Sequence, residues 1–129
     1  MILTHENFDR LKPINDTYGH AAGDTVLKAV ADTLARMARA SDVVGRLGGD
    51  EFALLLWNLS ETDARAKAVA LEEAIDGLSF NFRDSTATTG ASAGVAIIGQ
   101  QSDIRSVLEE ADAAMYVRKA QRQHETKAR

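Results

Sequence analysis

The sequence predicts an α/β domain in which helices pack against one central, mainly antiparallel β-sheet. Three observations favour this class. Apolar residues repeat at helical spacing in several segments, two short β-type runs flank a pair of glycines, and a strand rich in small residues separates the last two helical segments. The 129 residues suit a single domain, and the content of 45% hydrophobic and 26% charged residues is typical of a globular chain.

The first half of the chain is expected to contain a strand, two helices and a hairpin. Residues 1–3 begin the strand, and a short helix covers residues 9–16. Asp24 is the expected start of the second helix. The apolar positions that repeat at helical spacing after it are Val26, Leu27, Val30, Leu34 and Met37. Residues 42–46 and 52–57 are β-type runs, and the glycines between them indicate a hairpin.

The second half is expected to contain two helices with one strand between them. Residues 61–78 predict an alanine-rich helix, and a polar loop follows at residues 83–86. Residues 88–98 predict the strand, and the last helix begins at Asp103. Residues 121–129 are polar, and we expect this tail to fray.

Composition excludes several classes of protein. The chain has no cysteine, so it has no disulfide framework, no thiolate metal site and no cysteine nucleophile. Its net charge of -4 argues against a cationic surface for nucleic acid, and no nucleic-acid partner is expected. No apolar stretch approaches the ~20 residues of a membrane span. We therefore expect a cytoplasmic domain with no membrane segment in this chain.

The segment RLGGDEF, residues 46–52, is the strongest local signal. Gly48 and Gly49 carry no side chains, so a ligand can approach the backbone closely. Asp50 and Glu51 offer carboxylate oxygens of the kind that hold Mg²⁺ beside substrate phosphates. An ordinary glycine turn followed by two solvated acids is the alternative, and the spacing alone leaves both open.

Asn15 and Asp24 form a second candidate site. An amide that donates and accepts, together with a carboxylate that only accepts, can bind the edge of a guanine base. The alternative is structural, because Asp and Asn are also common helix-capping residues. From these residues alone, helix capping is the favoured interpretation.

Taken together, these motifs resemble the GGDEF family of diguanylate cyclases, whose signature stands here at residues 48–52. The match includes INDTYGHAAGD at residues 14–24 and GRL at residues 45–47. It continues through SAGVA at residues 92–96 and ADAAMY at residues 111–116. The resemblance thus covers nearly the whole chain, in the order and spacing of the family.

The resemblance implies one GGDEF domain over residues 1–129 that lacks the family's usual amino-terminal helix and loop. The implied fold is palm-like and related to nucleotide cyclases, with the signature on a β-hairpin. Family members of this bacterial signalling class join two GTP into cyclic di-GMP and release pyrophosphate, each subunit of an antiparallel homodimer presenting one GTP. The implied cofactor is Mg²⁺ or Mn²⁺, which lowers the pKa of the attacking 3′-hydroxyl.

The resemblance also assigns roles to individual residues. Asp50 would bind the metal together with Asn7 and the backbone carbonyl of Phe8. Asp50 would also act in catalysis. Glu51 would be catalytic, beside the reacting hydroxyl or a second metal. The implied substrate-binding residues are Gly48, Gly49, Asn15, Asp24, Lys12 and Lys119. The glycines admit the nucleotide, Asn15 and Asp24 select guanine, and the lysines contact the terminal phosphates.

Arg39 and Asp42 match the Arg-x-x-Asp motif through which the family's product inhibits synthesis. An arginine fork can hold both a guanine edge and a phosphate oxygen. The alternative is an arginine that stabilises a helix carboxyl end and an aspartate that opens the next strand.

Several positions depart from the family pattern. Asn7 stands where the family has a metal-binding aspartate, and Gln123 stands where a basic residue is expected after Lys119. Thr4, His5 and Glu6 interrupt an apolar run, which predicts an edge, frayed or displaced strand. These departures support an alternative function, namely a catalytically impaired module that binds GTP or cyclic di-GMP and signals through a partner.

Overall fold

The protein is described here by a computed structural model. The described residues are 2–5, 16–49, 51–82, 85–99 and 103–128. In chain order, the helices and strands are β1 (Ile2–His5), α1 (His20–Met37), β2 (Val43–Gly48), β3 (Glu51–Leu55), α2 (Glu61–Asp76), β4 (Ser79–Phe82), β5 (Ser85–Thr88), β6 (Ala91–Gly94) and α3 (Ile104–Ala128).

Four of the strands form one sheet in the order β2-β3-β1-β6, and every neighbouring pair is antiparallel. The predicted fold class is therefore confirmed. The expectation that the first strand is an edge, frayed or displaced is wrong, because Thr4 pairs with Glu51 on one side and with Ser92 on the other. Thr4 and His5 occupy the carboxyl end of the strand, so their polarity marks an end of the sheet rather than its side.

Helix α1 begins at His20, four residues before the predicted start at Asp24. Gly19 is the N-cap residue, with a φ of 92°, and no side chain caps this end. A search for polar capping side chains misses such a start, because glycine turns the chain through its backbone freedom alone. The predicted start of the next helix at residue 61 is confirmed, since α2 begins at Glu61 and the Ser60 side chain accepts a hydrogen bond from the N–H of Asp63.

The region after α2 differs from the sequence prediction. Strands β4 and β5 form a separate two-stranded sheet where we expected a polar loop. Phe80 and Phe82 stack with ring centroids 6.2 Å apart, and Phe82 also contacts Tyr18 at 5.0 Å. The expected strand at residues 88–98 is shorter, because only Ala91–Gly94 pairs as β6.

Helix α3 extends to Ala128, so the expectation that residues 121–129 fray is wrong for its described part. Arg122 stabilises the beginning of this segment, because its guanidinium donates to the carbonyl of Ala91 and to the carboxylate of Asp76. These contacts hold the polar end of the helix against β6 and α2. No helix among the described residues has the length and apolar character needed to cross a membrane.

The main core lies between the sheet and the two helices α1 and α2. Its largest fully buried apolar side chains are Leu34, Leu54, Leu71, Ile75, Val26 and Val30. Full burial of each such side chain stabilises the fold by roughly 1.5–3 kcal/mol. The predicted apolar face of α1 is thus confirmed, with Leu27 and Met37 packed at its margin.

Helix α3 lies directly on β6, and Gly94 permits this close approach. A Cβ atom at Gly94 would lie 2.0 Å from the carbonyl oxygen of Ala111 and 2.4 Å from the backbone nitrogen of Met115. Any side chain there would push the helix away from the strand. The small residues seen in the sequence at this strand therefore set the distance between helix and sheet.

Glu72 joins three elements at the same interface. The residue is 3% exposed. Its carboxylate accepts a hydrogen bond of 2.9 Å from the backbone N–H of Ala93 in β6. Arg118 of α3 donates to both carboxylate oxygens at 3.1–3.2 Å, and Arg122 lies 3.7 Å away. A buried carboxylate with these partners is satisfied in both charge and hydrogen bonding.

We predict that Glu72→Ala lowers the free energy of unfolding by about 1–3 kcal/mol, because it leaves the buried N–H of Ala93 and the partly exposed Arg118 without the Glu72 carboxylate. Glu61→Ala is the matched control, since Glu61 pairs with Arg65 on the surface and both side chains are about 60% exposed. Loss of that pair should change stability by less than about 1 kcal/mol. Urea unfolding of both variants measures the difference, and equal losses would contradict the role given to Glu72.

Candidate functional site

The glycine signature forms the turn between β2 and β3, as predicted. Gly48 has a φ of 150° and Gly49 a φ of 47°, values that favour glycine over residues with a Cβ atom. The Nε of Arg46 donates to the carbonyl oxygen of Gly49 at 2.8 Å. Strand pairing shifts register between Arg46 and Gly48, so the turn departs from a regular ladder. Arg46 thus holds the tip of the hairpin against its own strand.

Glu51 opens β3 immediately after the turn and is half-buried. It pairs with Gly48 in β2 and with Thr4 in β1. The carboxyl end of β1 therefore adjoins the signature at one end of the sheet.

Five of the predicted site residues lie outside the described part of the chain, namely Asn7, Phe8, Lys12, Asn15 and Asp50. Within the described part, no three His, Asp or Glu side chains group closely enough to hold a metal ion. Of the two carboxylates predicted to be catalytic, Asp50 and Glu51, the described residues include that of Glu51. A carboxylate at this end of the sheet is a hard oxygen donor, and so it fits Mg²⁺ or Mn²⁺.

Asp24 lies in α1 beside the hairpin. The residue is exposed, and it lines a cavity of about 400 Å³. The other lining residues are Leu27, Lys28, Ala31, Arg46 and Phe52. Because Gly19 is the N-cap residue of this helix, the capping alternative for Asp24 is wrong. The carboxylate is available to a ligand that enters between α1 and the signature.

Lys28 and Arg46 were not predicted as site residues. Lys28 lies four residues after Asp24, so both share one face of α1, and this spacing was a signal present in the sequence. Arg46 belongs to the signature segment itself. Both side chains bring positive charge to a cavity for which the sequence predicted only acidic and amide groups.

Lys119 lies on the carboxyl-terminal half of α3. Three residues further on, Arg122 contacts the carbonyl of Ala91, which pairs with His5 at the carboxyl end of β1. This part of α3 therefore lies at the same end of the sheet as Glu51. Gln123, where a basic residue was expected, is exposed.

Arg39 and Asp42 lie at the other end of the hairpin, where β2 begins and β3 ends. The Nε of Arg39 donates to Oδ2 of Asp42 and the Nη2 to Oδ1, both at 3.2 Å, and the backbone N–H of Arg39 donates to Oδ2 at 2.8 Å. The Trp57 N–H lies 3.4 Å from Oδ1, and Arg39 also donates to the Trp57 carbonyl. No local signal in the sequence indicates that Trp57 belongs to this cluster.

The two residues of the motif differ in accessibility. The Asp42 side chain is inaccessible to solvent, whereas that of Arg39 is 47% exposed. Hydrogen bonds from Arg39, with a further one from Trp57, hold the pKa of Asp42 below its ordinary value of 3.8 despite the opposing effect of burial. Asp42 therefore positions Arg39, and the exposed guanidinium is the group that a ligand can reach.

Comparison with known proteins places the chain in a family. The family model described as diguanylate cyclase, GGDEF domain, matches residues 1–125. The chain belongs to the GGDEF family. It is 40% identical over 118 residues to the probable diguanylate cyclase DgcE of Escherichia coli and 43% identical over 117 residues to the diguanylate cyclase TpbB of Pseudomonas aeruginosa. These matches include 91% and 88% of the chain, but only 11% and 26% of the two relatives.

Solved GGDEF structures share the fold. The GGDEF domain of TpbB from Pseudomonas aeruginosa superposes with a TM-score of 0.79 at 41% identity, over 93% of this chain and 69% of that one. The GGDEF domain of DgcB from Caulobacter crescentus, solved in complex with cyclic di-GMP, gives a TM-score of 0.81 at 28% identity, over 90% and 68%. The diguanylate cyclase SiaD of Pseudomonas aeruginosa, in complex with its activator SiaC, gives 0.83 at 30% identity, over 93% and 45%. The GGDEF resemblance seen in the sequence is confirmed.

We predict that Asp42→Asn destabilises the domain in a pH-dependent way. The folded state lowers the pKa of Asp42, so the ionised carboxylate favours folding. Its contribution is fully present above the ordinary value of 3.8 and is lost as the pH falls through the lower folded value. Unfolding curves of the wild type and the variant should therefore differ near pH 7 and converge toward about pH 2. A difference that stays constant over this range would contradict the assignment.

Proposed function

We propose that this GGDEF domain is a diguanylate cyclase, which condenses two GTP into cyclic di-GMP and releases pyrophosphate. The observation that carries the proposal is the placement of Asp24. Its exposed carboxylate does not cap α1 and instead lines a cavity with Arg46 and Phe52 of the signature hairpin. An exposed carboxylate and two residues of the hairpin thus line one cavity, which supports a GTP site at this position. The names of the relatives support the same activity.

Guanine recognition is assigned to Asp24 and Asn15. A carboxylate only accepts hydrogen bonds, so Asp24 suits the ring N–H and the exocyclic amine of guanine, whereas adenine offers no such pair of donors on that edge. Gly48 and Gly49 leave room for the nucleotide above the turn. Lys12 and Lys119 contact the terminal phosphates as point charges.

The proposed metal is Mg²⁺ or Mn²⁺. Asp50, Asn7, the backbone carbonyl of Phe8 and Glu51 would hold it, since all of them offer oxygen ligands. When bound, the metal supplies neutralisation of phosphate charge and a lower pKa for the attacking hydroxyl. Glu51 is the first residue of β3 and lies beside β1, a position from which its carboxylate can orient the 3′-hydroxyl.

The reaction needs two copies of the domain. The 3′-hydroxyl of one GTP attacks the α-phosphate of the other, a new phosphodiester bond forms, and pyrophosphate leaves with the electrons of the broken bond. Each subunit of an antiparallel homodimer presents one GTP, and two such steps close the ring. GTP is a nucleotide of the cytoplasm, which is where we place the reaction.

Cyclic di-GMP is also the proposed inhibitor, bound at Arg39. Asp42 fixes one side of the guanidinium through Nε and Nη2, so the Nη1 end is directed away from the carboxylate. The Caulobacter crescentus domain solved with cyclic di-GMP supports a site for this nucleotide on the fold.

A second candidate function remains, that of an impaired module that binds GTP or cyclic di-GMP and signals through a partner. Asn7 favours it, because an amide replaces a charged metal ligand.

We predict that concentrated protein incubated with GTP and Mg²⁺ produces cyclic di-GMP and pyrophosphate, detected by chromatography of the nucleotides. Glu51→Gln should lower the rate by at least about a hundredfold, as expected for loss of a group that acts on the reacting hydroxyl. Glu61→Gln is the matched control, because this exposed glutamate pairs with Arg65 at the start of α2, beyond the opposite end of β3 from Glu51, and should leave the rate unchanged. Folded protein that yields no product would favour the impaired module.

We predict that Asn7→Asp raises both the affinity for Mg²⁺ and the rate of synthesis, because it restores an anionic oxygen ligand. An increase of about tenfold corresponds to ~1.4 kcal/mol of additional binding free energy. Titration of Mg²⁺ in the synthesis assay and calorimetry of Mg²⁺ binding provide two independent measurements. A variant that gains neither affinity nor rate would remove Asn7 from the metal site.

A further inference from the structure

Trp57 is the single tryptophan of the chain, and 52% of its surface is exposed. It follows β3 by two residues, at the end of the hairpin far from the glycine turn. An indole stabilises a fold mainly when it is buried. A half-exposed indole contributes less to the core, and its free face can contact a ligand.

The main chain of Trp57 is fixed by the two residues of the inhibitory motif. Its N–H lies 3.4 Å from the Oδ1 of Asp42, and its carbonyl accepts from the guanidinium of Arg39. The backbone of Trp57 is therefore hydrogen-bonded to Arg39, whose side chain is 47% exposed. The residue that carries the indole is thus in direct backbone contact with the Arg39 guanidinium. An aromatic face and a guanidinium are the two groups that bind a purine nucleotide by stacking and by hydrogen bonds.

The indole also borders a cavity. Its volume is about 380 Å³, which is sufficient for a small-molecule ligand. Most of its lining is apolar, and it includes Leu56, Leu59, Ala64, Val95, Ile97 and Ile104. An apolar cavity of this kind favours the face of a base over a bare phosphate group, because the base loses little by leaving water.

We propose that Trp57 is part of the cyclic di-GMP site and that a guanine base stacks on its indole while Arg39 binds the base edge or a phosphate oxygen. The inference rests on the proposed inhibitory site and adds a binding residue to it. Stacking uses the π-face of the base and tolerates any base, whereas the Nη1 group of Arg39 can donate to an acceptor of guanine, O6 or N7. Trp57 thus supplies affinity, and Arg39 supplies the preference for guanine.

The experiment is a titration of the 129-residue chain with cyclic di-GMP. Binding is measured by calorimetry and by tryptophan fluorescence. Because Trp57 is the single tryptophan, its emission reports on this position alone, and we expect it to be quenched as the nucleotide binds. Trp57→Ala should raise the Kd by about tenfold or more, and Trp57→Phe should retain most of the affinity because phenylalanine still stacks. Tyr116→Ala is the matched control, since Tyr116 is 65% exposed on α3 and should leave the Kd unchanged.

Arg39→Ala separates the two proposals. Loss of affinity in Arg39→Ala together with unchanged affinity in Trp57→Ala would overturn the role of Trp57 and leave the inhibitory site in place. Wild-type affinity in Arg39→Ala would overturn the inhibitory site itself. Unquenched fluorescence in wild-type protein that binds cyclic di-GMP by calorimetry would place the nucleotide elsewhere and overturn the stacking proposal.

Discussion

The position of α3 depends on one buried carboxylate. Glu72 binds Arg118 of α3 and the N–H of Ala93 in β6, so a single side chain of α2 joins a helix and a strand whose contact residues are 46 and 21 residues away from it in the sequence. Gly94 allows the same helix to contact the strand backbone directly. Together they bring the carboxyl-terminal half of α3, with Lys119, to the end of the sheet that carries the signature. The phosphate-binding role proposed for Lys119 therefore depends on the Glu72–Arg118 ion pair, which is not itself part of the proposed nucleotide site.

The β2–β3 hairpin separates two sites. Its glycine turn adjoins Glu51 and the Asp24 cavity, whereas Arg39 and Trp57 lie at the opposite end, roughly 17 Å away for five residue steps of a strand. At each end an arginine donates to a backbone carbonyl, Arg46 to that of Gly49 and Arg39 to that of Trp57. Both ends are therefore held to the same ladder, which is the direct physical connection between the proposed substrate and product sites.

Local signals in the sequence predicted the features that depend on neighbouring residues. The glycine hairpin was predicted from its turn residues, and α2 from its composition. The central position of β1 was missed, because strand order depends on long-range pairing and not on the polarity of Thr4 or His5. The contacts of Arg122 and Trp57 were missed for the same reason, since each joins segments at least 15 residues apart. Five residues of the predicted site lie outside the described part of the chain, so their placement stays a prediction.

The departures from the family pattern act on one part of the ligand. Asn7 removes a negative charge from the proposed metal site, and Gln123 removes a positive charge near the proposed phosphate site. Both changes weaken the hold on the metal–triphosphate end of GTP, where the bond is made and broken. The cavity at Asp24 and the cluster at Arg39 lie elsewhere and keep their charged groups. Synthesis is therefore more sensitive to these substitutions than guanine recognition is, and the domain can lose rate while it still binds its nucleotides.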